Sequence, residues 1–217
     1  MDQGAAFATN AALGSLLGIF ATIAWALAYS AVARRGGGLA LSVATGLVVF
    51  AIVGAAVREL TIGPIALYLA LVVVLIVSIR LIPASLTHYG IHLPRWDLPA
   101  RMVLATALVL AITSSAVVLG PRVAGLLATI PLYASILAGF GHTLAAPEAA
   151  IDVWRGLLFG LFGFGAFYLM LALFLEPLGL AAFGIAIAAV LATQALTLRS
   201  MSTAGERRSP RPRRRAP

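Results

Sequence analysis

The chain has 217 residues, of which 62% are hydrophobic and only 10% are charged, and its mean hydropathy is +1.05. Soluble globular domains carry about 25% charged residues, so this composition excludes an ordinary water-soluble domain and indicates a membrane protein. Cysteine is absent and all 15 basic residues are arginine, which excludes disulfides, thiolate metal sites and lysine Schiff-base chemistry.

Seven stretches are long and apolar enough to cross a membrane as helices. Such a helix needs roughly 20 apolar residues to cross a hydrocarbon core of about 30 Å. We therefore predict an all-α fold, a polytopic membrane helical bundle of about seven transmembrane helices over residues 1–199. In chain order the charge-free stretches are Leu13–Val32, Leu39–Val57, Ile62–Ile79, Met102–Gly120, Val123–Gly141, Gly156–Leu175 and Leu178–Leu198.

Proline marks the two shortest boundaries between spans. Pro121-Arg122 separates the fourth span from the fifth, and Glu176-Pro177 separates the sixth from the seventh. Because proline breaks a continuing helix, each pair is predicted to form a tight hairpin. Pro131 leaves open whether the fifth span is continuous. The longest loop, Pro83–Arg101, contains histidines and aromatic residues and is expected at the membrane interface.

The arginines predict the orientation of the bundle. If the C-terminus is cytoplasmic, thirteen arginines lie inside and only Arg58 and Arg122 lie outside. Cytoplasmic loops carry the excess of basic residues, so we expect a multi-pass protein of the bacterial inner membrane with its N-terminus outside. Residues 200–217 are polar, basic and Pro-containing, which predicts a disordered cytoplasmic tail suited to anionic lipid.

The spacing of the spans also predicts an inverted repeat of three helices plus three, followed by one more. A shift of 87 residues places Arg35-x-x-Gly38-Leu39 on Arg122-x-x-Gly125-Leu126. Other identities are few for a chain so rich in Ala, Leu and Gly, so the helix spacing supports the repeat better than the residues do.

The segment from Gly120 to Pro131 is the strongest candidate for a solute site. Pro131 has no N–H to donate to the carbonyl of Leu127, and freed backbone groups inside a membrane must be buried in protein or line a polar cavity. Arg122 is expected to face an anionic or polar solute, with Arg155 as a second basic residue near the opposite face. The candidate substrate-binding residues are Arg122, Thr113, Ser114, Ser115, Thr129, Pro131, Tyr133 and Arg155. The alternative is that the hydroxyls only satisfy the proline kink and join two helices.

Together with Asp97-Leu-Pro-Ala-Arg101, this segment resembles a group of small, uncharacterised bacterial multi-pass inner-membrane proteins with a Gly-Pro-Arg-x-x-Gly-Leu-Leu motif. The resemblance covers the fourth to sixth spans. It implies a multi-pass membrane protein related to transport, and it brings no established functional residues.

Two functions follow as expectations. The first is a small permease or exporter for a polar or anionic small molecule. The second is a non-transporting anchor or assembly subunit that binds lipid or a partner protein through its basic tail. An enzyme is not expected, because an acid, a base and a nucleophile do not occur at a common depth. No cofactor or metal is expected. The expected partners are the bilayer and the solute; a homo-oligomer is compatible with the sequence, and nucleic acid is not expected.

Overall fold

A computed structural model of the chain describes residues 4–82 and 120–208, with single positions between them at 99, 102, 103, 106, 107, 110 and 114; the side chains of 144 and 201–208 are not described. The described residues form helices and no strands. The helices are α1 (Gly4–Arg34), α2 (Leu39–Val57), α3 (Pro64–Leu81), α4 (Pro121–Leu127), α5 (Leu132–Leu144), α6 (Pro147–Leu178) and α7 (Ala181–Arg208).

Six of the helical segments in this part of the chain are long and apolar enough to cross a membrane, with α4 and α5 together counting as one segment. By the length and composition of its helices the chain is a multi-pass membrane protein, as the sequence predicts. Most of the span predicted at Met102–Gly120 lies outside the described residues; its described positions up to Ser114 are helical, and Gly120 is not. The loop Pro83–Arg101 also lies outside them, apart from Pro99. The inverted repeat includes this region and stays a prediction.

Helix α1 is the centre of the bundle. In its apolar stretch 67% of the residues are buried, against 22% in α2 and α3 and 11% in the membrane-spanning part of α7. Its neighbours are α2, α3, α4 and α6. Large apolar side chains on the outer helices, such as Leu69 on α3 and Leu191 on α7, are exposed and suited to contact with lipid.

Side-chain contacts show which helix ends lie together. Arg122 at the start of α4 contacts the loop between α2 and α3, and Arg155 near the start of α6 contacts the end of α3. We call the end of the bundle where α1 begins the Gly4 end, and the opposite one the Arg34 end. Ala182 at the start of α7 clusters with Ala12 near the Gly4 end, so α7 runs toward the Arg34 end. The described parts of the two chain termini therefore lie at opposite ends.

The fifth predicted span is not one continuous helix. Helix α4 ends at Leu127, residues 128–131 form a turn, and α5 begins at Leu132. Because Pro131 has no N–H, the carbonyl of Leu127 accepts a bond from the N–H of Ile130 instead, at 3.1 Å. The structure answers the question that Pro131 left open: the fifth span is present but interrupted, and Pro131 is the cause.

The boundary predicted at Glu176-Pro177 is wrong by two residues. Helix α6 continues through Pro177 to Leu178, and the chain turns at Gly179, which has a φ of +54°. Proline near the end of a helix removes only one backbone bond, whereas a positive φ is easily adopted only by glycine. The hairpin itself is present.

Helix α7 extends to Arg208, well into the segment predicted as disordered from residue 200. Between Ser200 and Arg208 the sequence contains no proline, and the first proline of the tail is Pro210. A helix that has already started can continue through polar residues until a proline stops it. Helix α7 therefore covers residues 200–208, and disorder stays a prediction for residues 209–217, which lie outside the described part.

Candidate functional site

Helices α1 and α4 approach each other with backbone against backbone. A Cβ added to Gly14 would overlap the carbonyl oxygen of Arg122, and one added to Gly125 would overlap that of Ala11. Gly18 faces the hydroxyl of Thr129 equally closely. Small residues permit this approach in membranes, so the Gly14-x-x-x-Gly18 pattern is a packing surface for the broken helix.

Hydroxyl groups on α1 bind the carbonyls of the broken helix. Ser15 Oγ donates to the carbonyl of Gly125 at 3.0 Å, and Thr22 Oγ1 donates to the carbonyl of Thr129 at 2.8 Å. Thr129 Oγ1 donates back to the carbonyl of Leu126 at 2.7 Å. Both threonines are almost fully buried, with 2% and 7% of their surfaces exposed. The break is therefore held by polar groups that have no access to bulk water.

A cavity of about 290 Å³ lies beside the break. Its walls come from α1, from the turn between α4 and α5, and from one face of α6. Most of the lining is apolar, and the side-chain polar groups in it are the two threonine hydroxyls. The lining residues are Thr22, Ala128, Thr129, Ile130, Pro131, Leu157, Gly160, Leu161 and Phe164. No charged side chain is among them, so the cavity suits a small neutral solute better than an ion with a full charge.

The two arginines predicted to face the solute lie away from the cavity, toward opposite ends of the bundle. Arg122 Nη2 donates to the carbonyl of Leu60 at 2.5 Å, at the Gly4 end. Arg155 Nη1 donates to the carbonyls of Ile79 and Ile82 at the Arg34 end. Its guanidinium also lies 5.5 Å from the ring centre of Phe159. Both arginines join helix ends by charge-assisted bonds to backbone carbonyls.

The other predicted residues divide into three groups. Thr129 and Pro131 line the cavity, as expected for a site at the break. Tyr133 is 62% exposed and is not part of the lining, and Ser114 is exposed with its hydroxyl bound to the carbonyl of Leu110 at 2.7 Å. Thr113 and Ser115 lie outside the described residues. Of the six predicted residues that the structure describes, two therefore line the cavity together.

Aromatic side chains close the bundle between the cavity and the Arg34 end. Trp25 is one helical turn beyond Thr22, and Trp154 is one turn beyond Leu157; the two rings are 6.1 Å apart and buried. Tyr29 lies 5.4 Å from Trp154, and its hydroxyl is 2.9 Å from Nδ1 of His142 on α5. This layer separates the cavity from the Arg34 end, and the bond from Tyr29 to His142 fixes α1 to α5 there.

Sequence reasoning missed the wall residues on α1 and α6. The signal on α1 was present: Gly14, Gly18 and Thr22 repeat at intervals of four residues within an apolar helix. Such a stripe of small and polar residues indicates a helix-packing surface in a membrane. On α6 the wall includes Leu157, Leu161 and Phe164, which look like any other apolar membrane residues, so no sequence signal distinguishes them.

No protein-family model matches the sequence, and no curated protein or solved structure is significantly similar to it. Function is therefore inferred from the geometry of the site.

Proposed function

We propose that the protein is a small permease or exporter of the bacterial inner membrane that binds a polar, uncharged small molecule at the break between α4 and α5. In this proposal the Arg34 end faces the cytoplasm. The single observation that carries the proposal is the cavity beside a helix that is interrupted inside the bundle.

The depth of the break supports a site within the membrane. Helix α4 has seven residues before the turn, which corresponds to about 10 Å, or roughly a third of the hydrocarbon core. Interrupted helices at membrane depth are typical of secondary transporters, because they present backbone dipoles to a solute. A helix that serves only as an anchor has no need of such a break.

The cavity limits the size and chemistry of the solute. Its volume of about 290 Å³ is at the low end for small-molecule sites and equals that of about ten water molecules. The apolar wall from α6 would contact a carbon skeleton, while the threonine hydroxyls and the backbone of the turn would bind polar groups. Because Arg122 and Arg155 are used at the helix ends, a neutral solute fits better than the anion that the sequence indicates.

Transport can be tested with purified protein in liposomes. Uptake of the neutral solutes glycerol and urea and of the anions acetate and phosphate would be compared with uptake by protein-free liposomes. Gly160 lines the cavity and has open space at its Cβ, so Gly160→Leu should fill the cavity and lower the flux. Gly156, one turn earlier, also has open space but lies outside the lining, so Gly156→Leu is the matched control.

We expect faster uptake of at least one neutral solute, a loss of most of that flux in Gly160→Leu, and normal flux in Gly156→Leu. Equal flux in the two variants would remove the cavity from the pathway. Uptake of every solute at the rate of protein-free liposomes would contradict the permease proposal.

The anchor or assembly function is the second candidate, and the exposed position of α7 favours it. This helix lies at the edge of the bundle and continues beyond the apolar part to Arg208. Deletion of residues 200–217 should leave flux per molecule unchanged if the protein is a permease. Absence of flux in the full chain, together with loss of lipid or partner binding on deletion, would favour the second candidate.

A further inference from the structure

The cavity beside the break is buried on one side and exposed on the other. Thr22 on the central helix α1 and Thr129, which is bonded to it, are almost fully buried. Phe164 on α6 is 43% exposed, and Gly160 on α6 and Ala128 on the turn are exposed as well. All five residues line the cavity. We call Ala128, Gly160 and Phe164 the lateral opening, because they are the exposed part of this lining.

Helix packing explains why this side of the cavity is open. In the described part of the chain α4 packs closely on α1, and α6 packs closely on α1, α3, α5 and α7. Both walls of the cavity are therefore supported from the central helix, and none of these close contacts joins α4 to α6. A Cβ added to Gly160 would meet nothing within 4 Å, so there is free space beside α6 at this point.

The lateral opening lies at the depth of the hydrocarbon core. Helix α6 has 32 residues and is about 48 Å long, so its middle lies inside a core of about 30 Å. Gly160 and Phe164 are both near that middle, about 20 Å or more from either end of α6. An exposed residue at this depth contacts lipid chains rather than water. The cavity therefore opens sideways toward the bilayer.

Hydrogen bonding in the cavity favours a ligand that donates a proton. Thr22 Oγ1 donates to the carbonyl of Thr129 at 2.8 Å, and Thr129 Oγ1 donates to that of Leu126 at 2.7 Å. The N–H groups of residues 128–130 bond to carbonyls as well, and Pro131 has none. A hydroxyl oxygen that donates its proton still has lone pairs that accept one. The two threonines therefore offer acceptors and no free donor, which suits an O–H group better than a ketone, an ester or an ether.

We propose that the cavity binds a neutral amphiphilic alcohol that enters from the bilayer through the lateral opening. The hydroxyl of this alcohol donates to a threonine oxygen, and its carbon skeleton contacts the apolar wall of α6. The volume of about 290 Å³ accommodates roughly ten heavy atoms, at about 30 Å³ for each. A charged headgroup does not fit, because the lining contains no charged side chain to neutralise it.

A polar side chain beside the lateral opening suits this route. Gln194 on α7 is partly buried, and its Nε2 donates to the carbonyl of Gly160 at 2.8 Å. A hydroxyl that moves through hydrocarbon without a partner loses the hydrogen bonds that it makes in water. The amide of Gln194 has a second N–H and a carbonyl oxygen, so it gives that hydroxyl a partner before it reaches the threonines.

Movement of the alcohol across the membrane, as distinct from its binding, rests on the proposed function. If the protein is a permease, such alcohols are its substrate class and the bilayer is their source. Binding requires only the cavity and the lateral opening, so the two ideas can fail separately.

The lateral opening can be tested by electron paramagnetic resonance of the full chain in liposomes. Because the chain has no cysteine, Phe164→Cys carries a single nitroxide label, and Val73→Cys, at an exposed position halfway along α3, is the lipid-facing control. Molecular oxygen collects in hydrocarbon, whereas a nickel chelate stays in water. We expect the label at position 164 to collide with oxygen as often as the control does, and rarely with nickel. Frequent nickel collisions would show a water-filled entrance, and rare collisions with both would show an entrance covered by protein; either result overturns the proposal.

Binding can be measured by tryptophan fluorescence, because bromine quenches an indole ring that it contacts. Trp25 and Trp154 are buried one helical turn beyond the cavity lining, so a brominated ligand reaches them through the cavity. Trp96→Phe removes the third tryptophan of the chain. The probe is tribromoethanol, and its methyl ether, which keeps the bromines and lacks the O–H, is the control probe. We expect saturable quenching by the alcohol and about tenfold weaker binding of the ether, through loss of one hydrogen bond. Equal binding of the two probes would overturn the selection for a donor.

Variants locate the alcohol. Gly160→Leu should fill the cavity at the lateral opening and abolish the saturable quenching, whereas Gly156→Leu, which has open space outside the lining, is the matched control and should bind normally. At least one of Thr22→Val and Thr129→Val should bind about tenfold more weakly, through loss of the accepting oxygen. Thr143→Val removes an exposed hydroxyl outside the cavity and should have no effect. The glycine pair decides the outcome if a valine variant does not fold.

Equal quenching in Gly160→Leu and Gly156→Leu would place the alcohol elsewhere and overturn the proposal, as would normal binding in both valine variants. Saturable quenching in a protein that moves no solute would support the alcohol site and overturn only the permease. Flux of glycerol in a protein that does not bind the alcohol would overturn the alcohol site and leave the permease.

Discussion

Substitution of Gly125 by alanine tests the contact between α1 and α4, on which the geometry of the break depends. The new Cβ would overlap the carbonyl oxygen of Ala11 and lie 3.0 Å from the backbone nitrogen of Ser15. Normal contacts between such atoms are about 3.5 Å, so α1 has to move away by about 1 Å or more. The hydrogen bond from Ser15 to the Gly125 carbonyl, now 3.0 Å long, would be lost in the movement.

Two effects of Gly125→Ala, the overlap and the lost hydrogen bond, lower the free energy of unfolding. Overpacking costs about 1–3 kcal/mol, and a hydrogen bond between membrane helices contributes about 0.6–1.7 kcal/mol. Alanine also gains up to about 1 kcal/mol over glycine in helix propensity. Gly156→Ala has the same gain, and its Cβ meets open space. Propensity therefore cancels between the two variants, and Gly125→Ala should be less stable than Gly156→Ala by about 2–5 kcal/mol.

The free energy of unfolding of both variants would be measured by titration with SDS in mixed micelles, followed by far-UV circular dichroism. Gly14→Ala should resemble Gly125→Ala, because its Cβ would overlap the carbonyl oxygen of Arg122. The double variant should be less destabilised than the sum of the two single ones, since one separation of α1 from α4 relieves both overlaps. Equal stability of Gly125→Ala and Gly156→Ala would refute the backbone contact.

Three further predictions use other contacts. Tyr29→Phe should lower the free energy of unfolding by about 0.6–1.7 kcal/mol, through loss of the bond to His142, and a double-mutant cycle with His142→Phe should recover that coupling. Arg122→Ala should lower the free energy of unfolding by about 1.5–3 kcal/mol through loss of the charge-assisted bond to Leu60. The ratio of neutral-solute flux to anion flux should not change. A fall in anion flux alone would show that Arg122 is a solute ligand. Because the chain has no cysteine, single cysteines placed at Ala6 and Ala204 report topology: an impermeant maleimide should label them from opposite sides of the membrane, and labelling from one side would contradict the fold.

The membrane-spanning segments could be predicted because their signal is local. Each needs only a run of apolar residues without charges, and Arg58, Arg80 and Arg199 mark where runs end. The pairing of Arg122 with the α2–α3 loop at one end of the bundle also agrees with the prediction that Arg58 and Arg122 share one side. Local composition is sufficient for such statements because the thickness of the bilayer sets the minimum length of every helix that crosses it.

The candidate site could be predicted only in part, because helix neighbours are not a local property. Pro131 and Thr129 were identified from the backbone group that the proline leaves without a donor. Their partner Thr22 is 107 residues away in the chain, and a single sequence does not show which helices adjoin. Arg122 was assigned to a solute because it begins the helix that contains the break, next to the candidate polar site, whereas in the structure its Nη2 donates to the carbonyl of Leu60.

The central position of α1 has a consequence for how the protein is made. This helix is synthesised before α4, and the carbonyl partners of Ser15 and Thr22 follow only 110 and 107 residues later. At a synthesis rate of about 5–20 residues per second, α4 is made roughly 5–20 s after these hydroxyl-bearing residues. During biogenesis the Ser15 and Thr22 hydroxyls therefore lack these partners until α4 has been made, and a factor that shields nascent membrane segments would act on α1 in that interval.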